Sequence, residues 1–204
     1  MIRVQNIEVT GWLPAIRGMR NPMNSWDRSD TVFHTDGRMP EIGPNDLKLM
    51  KRLYTGGPEH RKYLRMVHVT MDITAPLYWW KEFDTYKIGT TANSCSTMHK
   101  IADREFVLED FSTEHLTKES VTWMKNTVIN LNYWRECYLQ HHDKTCWWQL
   151  IQLLPSSYNQ RRTVDLNYEV AIRIIHQRSG HKLDEWNDLV IQLGELPYLQ
   201  ELIL

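Results

Sequence analysis

The chain has 204 residues, 42% of them hydrophobic and 24% charged, with a formal net charge of −1 at pH 7. These are ordinary globular values for a chain long enough to bury its own core. They exclude a general attraction to nucleic-acid polymers or anionic membranes, so any anion site must be local.

No apolar run approaches the roughly 20 residues that cross a bilayer, and the N-terminus MIRVQNIEVT carries no apolar signal core. Three cysteines, Cys95, Cys137 and Cys146, are too few and too odd in number for a disulfide framework. The expectation is a soluble, cytoplasmic protein of a reducing compartment. Nine Trp and nine Tyr stand against four Phe. Trp and Tyr join an apolar body to a polar handle, which suits both cores and sites that stack planar rings.

Alternating polarity over residues 2–12 predicts a strand, and Pro14 opens the helical segment AIRGMRNPM. Residues 24–46, with Gly37, Pro40, Gly43 and Pro44, read as a long polar loop. Pro44 then starts the helix DLKLMKRLY, which Gly56-Gly57-Pro58 stops. In YLRMVHVTMDI (63–73), Val67, Val69, Met71 and Ile73 alternate as on a strand with one buried face. Pro76 suits the first turn of an aromatic helix, LYWWKEFDTY. The polar stretch DTYKIGTTANSCSTMHK (84–100) leaves that helix. Residues 119–141 place Val121, Met124, Val128, Leu131, Trp134 and Tyr138 at helical spacing. A second helix, WWQLIQLL, ends at Pro155. SSYNQRR reads as a loop, LNYEVAIRIIHQR as an amphipathic helix closed by Ser179-Gly180, and HKLDEWNDLVIQL and LPYLQELIL as closing helices. The expected fold is α+β: a single domain over 1–204, with a small antiparallel sheet flanked by helices and a helical C-terminal half.

Candidate chemistry is sparse. Cys137, His141, His142 and Cys146 include an i, i+4 pair, yet lack the knuckle spacing of structural zinc, and they also read as a helix end with small apolar fillers. No metal is expected. Cys95 and Ser96 lie close to His99, but a cysteine nucleophile needs a positioned base and a lowered pKa, which proximity in sequence does not supply. Neither GxGxxG nor GxxxxGK[ST] occurs. A phosphate site would therefore rest on hydroxyls, helix N–H groups and arginines. Ser94, Ser96 and Thr97 are one candidate group and Arg161-Arg162 another; both also read as solvated surface. In the pairs Trp79-Trp80 and Trp147-Trp148, neighbours on a helix point about 100° apart, so at most one of each pair can face a flavin or base.

The order of segments is similar to that of the flavin-dependent thymidylate synthases. AIRGMR, GPEH, a strand ending ITAP, an aromatic helix and an N-x-x-S segment follow one another as they do there. LLP with SYNQRR, then TVDLNYEVAIRIIHQR and HKLDEW, resemble that family's second half. Asn93 and Ser96 fit the asparagine and serine of the motif N-E-x-S-x-R-Y. Ser94 stands at its glutamate, Met98 at its arginine and His99 at its tyrosine. The family's arginine–histidine–arginine triplet reads Thr85-Tyr86-Lys87, which keeps one cation without arginine's bidentate grip.

The resemblance implies cofactor contacts from His60, Tyr86, Lys87, Asn93, Asn167 and His181. It implies substrate contacts from Ser94, Ser96, Arg161, Arg162 and Arg178, with Arg178 at the uracil and counted as catalytic. It further implies a homotetramer with FAD between subunits, methylenetetrahydrofolate and NADPH as co-substrates, and methylation or alkylation at C5 of a pyrimidine nucleotide such as dUMP. The lost motif arginine, glutamate and triplet members remove charge-assisted bonds worth about 1.5–3 kcal/mol each. Two other readings stand beside the enzyme: a fold relative that binds nucleotide or flavin without turnover, and an unrelated helical interaction protein.

Overall fold

A computed structural model describes residues 2–203. It contains strands β1 (Arg3–Thr10), β2 (His68–Pro76), β3 (Thr90–Ser94) and β4 (Asn159–Asn167). The helices are α1 (Trp12–Arg20), α2 (Pro44–Thr55), α3 (Leu77–Phe83), α4 (Thr97–Lys100), α5 (Lys118–His141), α6 (Lys144–Leu153), α7 (Tyr168–Arg178), α8 (Asp184–Gly194) and α9 (Leu199–Ile203). The strands form one antiparallel sheet in the order β1–β2–β4–β3, so the fold is α+β as expected. Among the described residues no helix is long and apolar enough to cross a membrane.

Two expected boundaries move. The predicted strand over 63–73 begins only at His68, because Pro58–Met66 is a 3-10 helix with Pro58 in its first turn and the neighbours Tyr63 and Leu64 both buried. From Val67 onward the alternation holds, with Val69, Met71, Ile73 and Ala75 all buried. The predicted loop SSYNQRR is in fact largely strand, since β4 starts at Asn159. Its polar side chains hide the strand in sequence, because their partners come from other segments.

By backbone proximity the chain groups into two compact units. One comprises the residues up to Arg3, Asp72–Thr85 and Ala92–Thr163. Its core joins Ile101, Phe106, Phe111, Leu131 and Leu150, with Trp134 and Tyr138 packed against them. Trp79, Trp80 and Phe83 of α3 are buried, and the Trp80 indole donates to the Gln160 carbonyl at 2.9 Å. Helices α5 and α6 form a hairpin that turns at His142, whose φ is 50°. That turn brings Cys137 and Cys146 to a Cα separation of 6.0 Å, and they are disulfide-bonded. Sequence counting had given no reason to pair them; the turn decides it. Cys95 is unbridged and exposed.

The other unit comprises Val4–Met71, Tyr86–Thr91 and the residues from Val164 on. Trp12 packs edge-on against Tyr168 and Tyr198, and Tyr168 donates to the Pro197 carbonyl at 2.7 Å. The long polar loop is held by two carboxylates, Asp46 and Asp30. Asp46, fully buried, accepts from Arg20 Nε at 2.6 Å, Ser29 Oγ at 2.7 Å, Thr31 Oγ1 at 2.6 Å and the Asp30 and Thr31 amides at 3.1 Å. Asp30 in turn accepts from the Asn45 and Asp46 amides at the start of α2. A segment with little to bury is thus ordered by hydrogen bonds to a charge, the stronger kind.

Candidate functional site

The second unit holds a cavity of about 540 Å³ in front of α7. Its floor follows from a cap and a glycine. Asn167 is the N-cap of α7; its Oδ1 accepts from the Val170 amide at 3.1 Å, which satisfies one of the helix's otherwise unpaired N–H groups. The residue is 8% exposed. Its Nδ2 lies 2.7 Å from where a Cβ on Gly89 would stand. Gly89 has φ +76°, so both its backbone and its missing side chain let the turn approach Asn167.

Pro58, Leu64 and Ile88 give this α7 cavity apolar surface, while Arg61, Arg65 and Arg173 give it positive charge. The Arg61 guanidinium lies 4.2 Å from the Tyr54 ring centroid, and its Nε donates to the Tyr54 carbonyl at 2.7 Å. Arg65 is paired with Glu169. Arg173 is exposed, 5.4 Å from the Tyr86 ring centroid, and has no carboxylate partner among the described residues. The arrangement offers a hydrogen-bond donor at depth, an apolar wall and a cationic rim.

Three residues singled out in sequence meet at the end of α7. Arg178 Nε donates to the Tyr86 hydroxyl at 3.0 Å, a second guanidinium nitrogen lies 3.1 Å from His181 Nε2, and the group sits 4.3 Å from the Trp186 ring centroid. The Tyr86 hydroxyl donates to Gln177 Oε1 at 3.0 Å, and Gln177 also lines the α7 cavity. Neither Arg178 nor Tyr86 is among the lining residues; Arg178 reaches the cavity through Tyr86 and Gln177.

The first unit holds a larger cavity, about 750 Å³, beside α4. Ser96 is the N-cap of α4, its Oγ accepting from the His99 amide at 3.2 Å. The Cys95 amide donates to the Arg161 carbonyl at 3.0 Å, and Gln160 Nε2 donates to the Cys95 carbonyl at 2.9 Å, strapping this segment to β4. Cys95, Ser96, Thr97 and Arg161 all line the cavity. Arg161 pairs with Asp72 at 2.5 Å, and Thr163 Oγ1 donates to the same carboxylate at 2.6 Å. Arg104 grips Asp110 with two nitrogens. Burial and the charge on Asp110 push the Tyr158 phenol above its ordinary pKa, so this lining residue stays a hydrogen-bond donor.

The structure thus brings Ser96 and Arg161 together at the α4 cavity and sets Asn167 into the α7 cavity. Arg162 is placed elsewhere: its guanidinium lies 4.2 Å from the Trp80 ring centroid, with Asp84 at 2.7 Å and Gln160 Oε1 at 3.0 Å. His60 lines a third cavity, of about 420 Å³, with Met19 and Met66. Lys87, Asn93 and Ser94 are exposed and line none of the three cavities. Arg61, Arg65, Arg173 and Gly89 escaped sequence reasoning. Arg65 and its partner Glu169 are 104 positions apart, so nothing local marks either. For Gly89 the one available signal was a glycine inside a polar stretch.

No protein-family model and no curated protein matches the sequence. Solved structures do match the fold. A crystal structure of the flavin-dependent thymidylate synthase ThyX from Helicobacter pylori, complexed with FAD and dUMP, superposes with a TM-score of 0.73 at 19% identity, covering 98% of each chain. Another structure of ThyX from the same organism, also with FAD and dUMP, gives a TM-score of 0.74 at 19% identity, covering 98% of this chain and 96% of that one. At this identity the likeness concerns the fold.

Proposed function

We propose that this chain binds FAD at the α7 cavity and a uracil-type pyrimidine at the α4 cavity, and that it methylates or alkylates the pyrimidine at C5. The carbon donor is methylenetetrahydrofolate, the reductant NADPH, and the working form a homotetramer. The observation that carries this reading is Asn167, which lines the cavity with its Oδ1 committed to the Val170 amide and its Nδ2 beside the Gly89 turn. A ligand acceptor is the complement of an amide donor at a cavity wall, in a hydrogen bond worth about 0.5–1.5 kcal/mol. FAD offers ring and ribose acceptors for Asn167, apolar ring surface for Pro58 and Ile88, and a pyrophosphate for Arg61 and Arg173. Bound there, the flavin supplies the redox chemistry. The protein's share is to bind and orient: Arg178 fixes Tyr86 and Gln177 at the cavity edge, and Ser96 caps the segment that faces the pyrimidine.

The test is the visible spectrum of the purified protein after incubation with FAD. A yellow complex that bleaches with NADPH, and converts pyrimidine when methylenetetrahydrofolate is added, is the expected result. Protein that takes up no flavin would sink the proposal.

A specific observation favours a second reading, binding without turnover. Arg161 and Arg162 are each held by a carboxylate, Asp72 and Asp84. Arg178 is committed to Tyr86, His181 and Trp186. A stable yellow complex that NADPH does not bleach would select this reading.

A further inference from the structure

We infer that the α4 cavity takes its pyrimidine as the uncharged nucleoside rather than as the 5′-monophosphate. The inference rests on the reading that this cavity is the pyrimidine site, and it concerns the charge found there. A phosphate monoester carries about −1.5 to −2 charges at neutral pH and needs cations able to turn toward it. Two of the three arginines lining the cavity are committed. Arg161 is held by Asp72, which also accepts from Thr163, and Arg104 is held in a two-nitrogen grip by Asp110. Asp110 is additionally fixed by the Val107 amide at 2.9 Å.

Turning either arginine to a phosphate would take the counter-charge from a carboxylate that is itself mostly buried, at 13% exposure for Asp72 and 10% for Asp110. Leaving such a group without its counter-charge opposes what the phosphate would gain. Arg3 remains, but Glu109 and Glu114 line the same space. Three arginines therefore face four carboxylates, Asp72 included, and a dianion meets a field of its own sign.

The neutral groups suit the rest of the molecule. Thr74, Thr97 and Thr113 present hydroxyl groups for sugar oxygens and the imide edge of a base. Tyr158 and Phe111 present ring surface, with centroids 5.8 Å apart. A free 5′-hydroxyl can donate to a lining carboxylate, whereas esterifying it removes that donor and adds negative charge.

Calorimetric titration of the full-length protein with 2′-deoxyuridine and with dUMP, at matched ionic strength near pH 7.5, tests the inference. The expected result is deoxyuridine binding at least tenfold tighter, with the gap narrowing as salt rises. In the double substitution Glu109→Gln/Glu114→Gln, dUMP affinity should rise several-fold while deoxyuridine affinity stays the same or falls. Binding of dUMP as tight as or tighter than deoxyuridine overturns the inference and leaves the pyrimidine reading standing. A deoxyuridine-to-dUMP ratio unmoved by the double substitution overturns it too. Binding of neither ligand removes the pyrimidine reading, and the inference with it.

Discussion

Replacing Gly89 by alanine probes the floor of the α7 cavity, and the structure sets the size of the effect. A non-glycine residue at φ +76° carries about 1–2 kcal/mol of backbone strain. The new Cβ would also stand 2.7 Å from Asn167 Nδ2 and 3.1 Å from Val170 Cγ2. Asn167 must then swing away, which breaks its bond to the Val170 amide, a cap worth about 1 kcal/mol. The expected loss for Gly89→Ala is about 2–3 kcal/mol. With a urea m-value of about 2 kcal/mol/M, the unfolding midpoint falls by roughly 1–1.5 M. Asn167→Ala alone should cost about 1 kcal/mol, through the cap. In the double variant the cap is already gone and the collision with it, so the total should again be about 2–3 kcal/mol, less than the two single losses added. Equilibrium urea unfolding of all four proteins measures the coupling, expected near −1 kcal/mol. Additivity within about 0.5 kcal/mol, or a Gly89→Ala protein as stable as the parent, would refute the collision.

Three further outcomes follow from the same structure. Asp46→Asn leaves buried Arg20 without its counter-charge and should cost about 3–5 kcal/mol in urea unfolding at pH 7. Burial alone would raise the Asp46 pKa, but hydrogen bonds from Thr31, Ser29 and Arg20 outweigh it and leave the carboxyl below its ordinary value of 3.8. The stabilisation is therefore complete above that value and is lost as pH falls through the lower folded pKa, so the gap between parent and variant should narrow only on the acid side; a gap that narrowed toward alkaline pH would contradict this. Reducing Cys137–Cys146, which closes a separation of nine residues, should lower stability by about 2–3 kcal/mol, measured by unfolding with and without dithiothreitol; no change would argue against the clamp. Arg173→Ala should weaken FAD binding by about 10- to 100-fold in a flavin-fluorescence titration while leaving the melting temperature in place, because its side chain is exposed and holds no carboxylate.

Periodicity alone makes α5, α7 and α8 legible, since a face repeating every three or four residues is a local property that survives in any context. The succession of strand, aromatic helix, polar stretch and capped helix likewise carries the α+β fold, and the solved structures share that fold at full length. Asn167 entered through the resemblance alone, inside the expected helix LNYEVAIRIIHQR, and the structure makes it that helix's N-cap. Beyond such local rules the sequence is silent. β4 reads as a loop because Arg161 and Arg162 look solvated until Asp72, Asp84 and Trp80 are brought beside them. The polar loop before α2 looks unstructured until Asp46 gathers its donors.

The same limit applies to the sites. From sequence, Arg161 and Arg162 are cations available to a phosphate, and Arg178, by the resemblance, one available to the uracil. Tertiary structure commits Arg161 and Arg162 to carboxylates and Arg178 to aromatic rings, and it supplies Arg61 and Arg173, which had drawn no notice, to the α7 cavity. A cap, a strand face or a helix face depends on neighbours a few positions away, so the sequence determines it. The availability of a charge depends on which opposite charge lies within a few ångströms, and only the folded chain decides that.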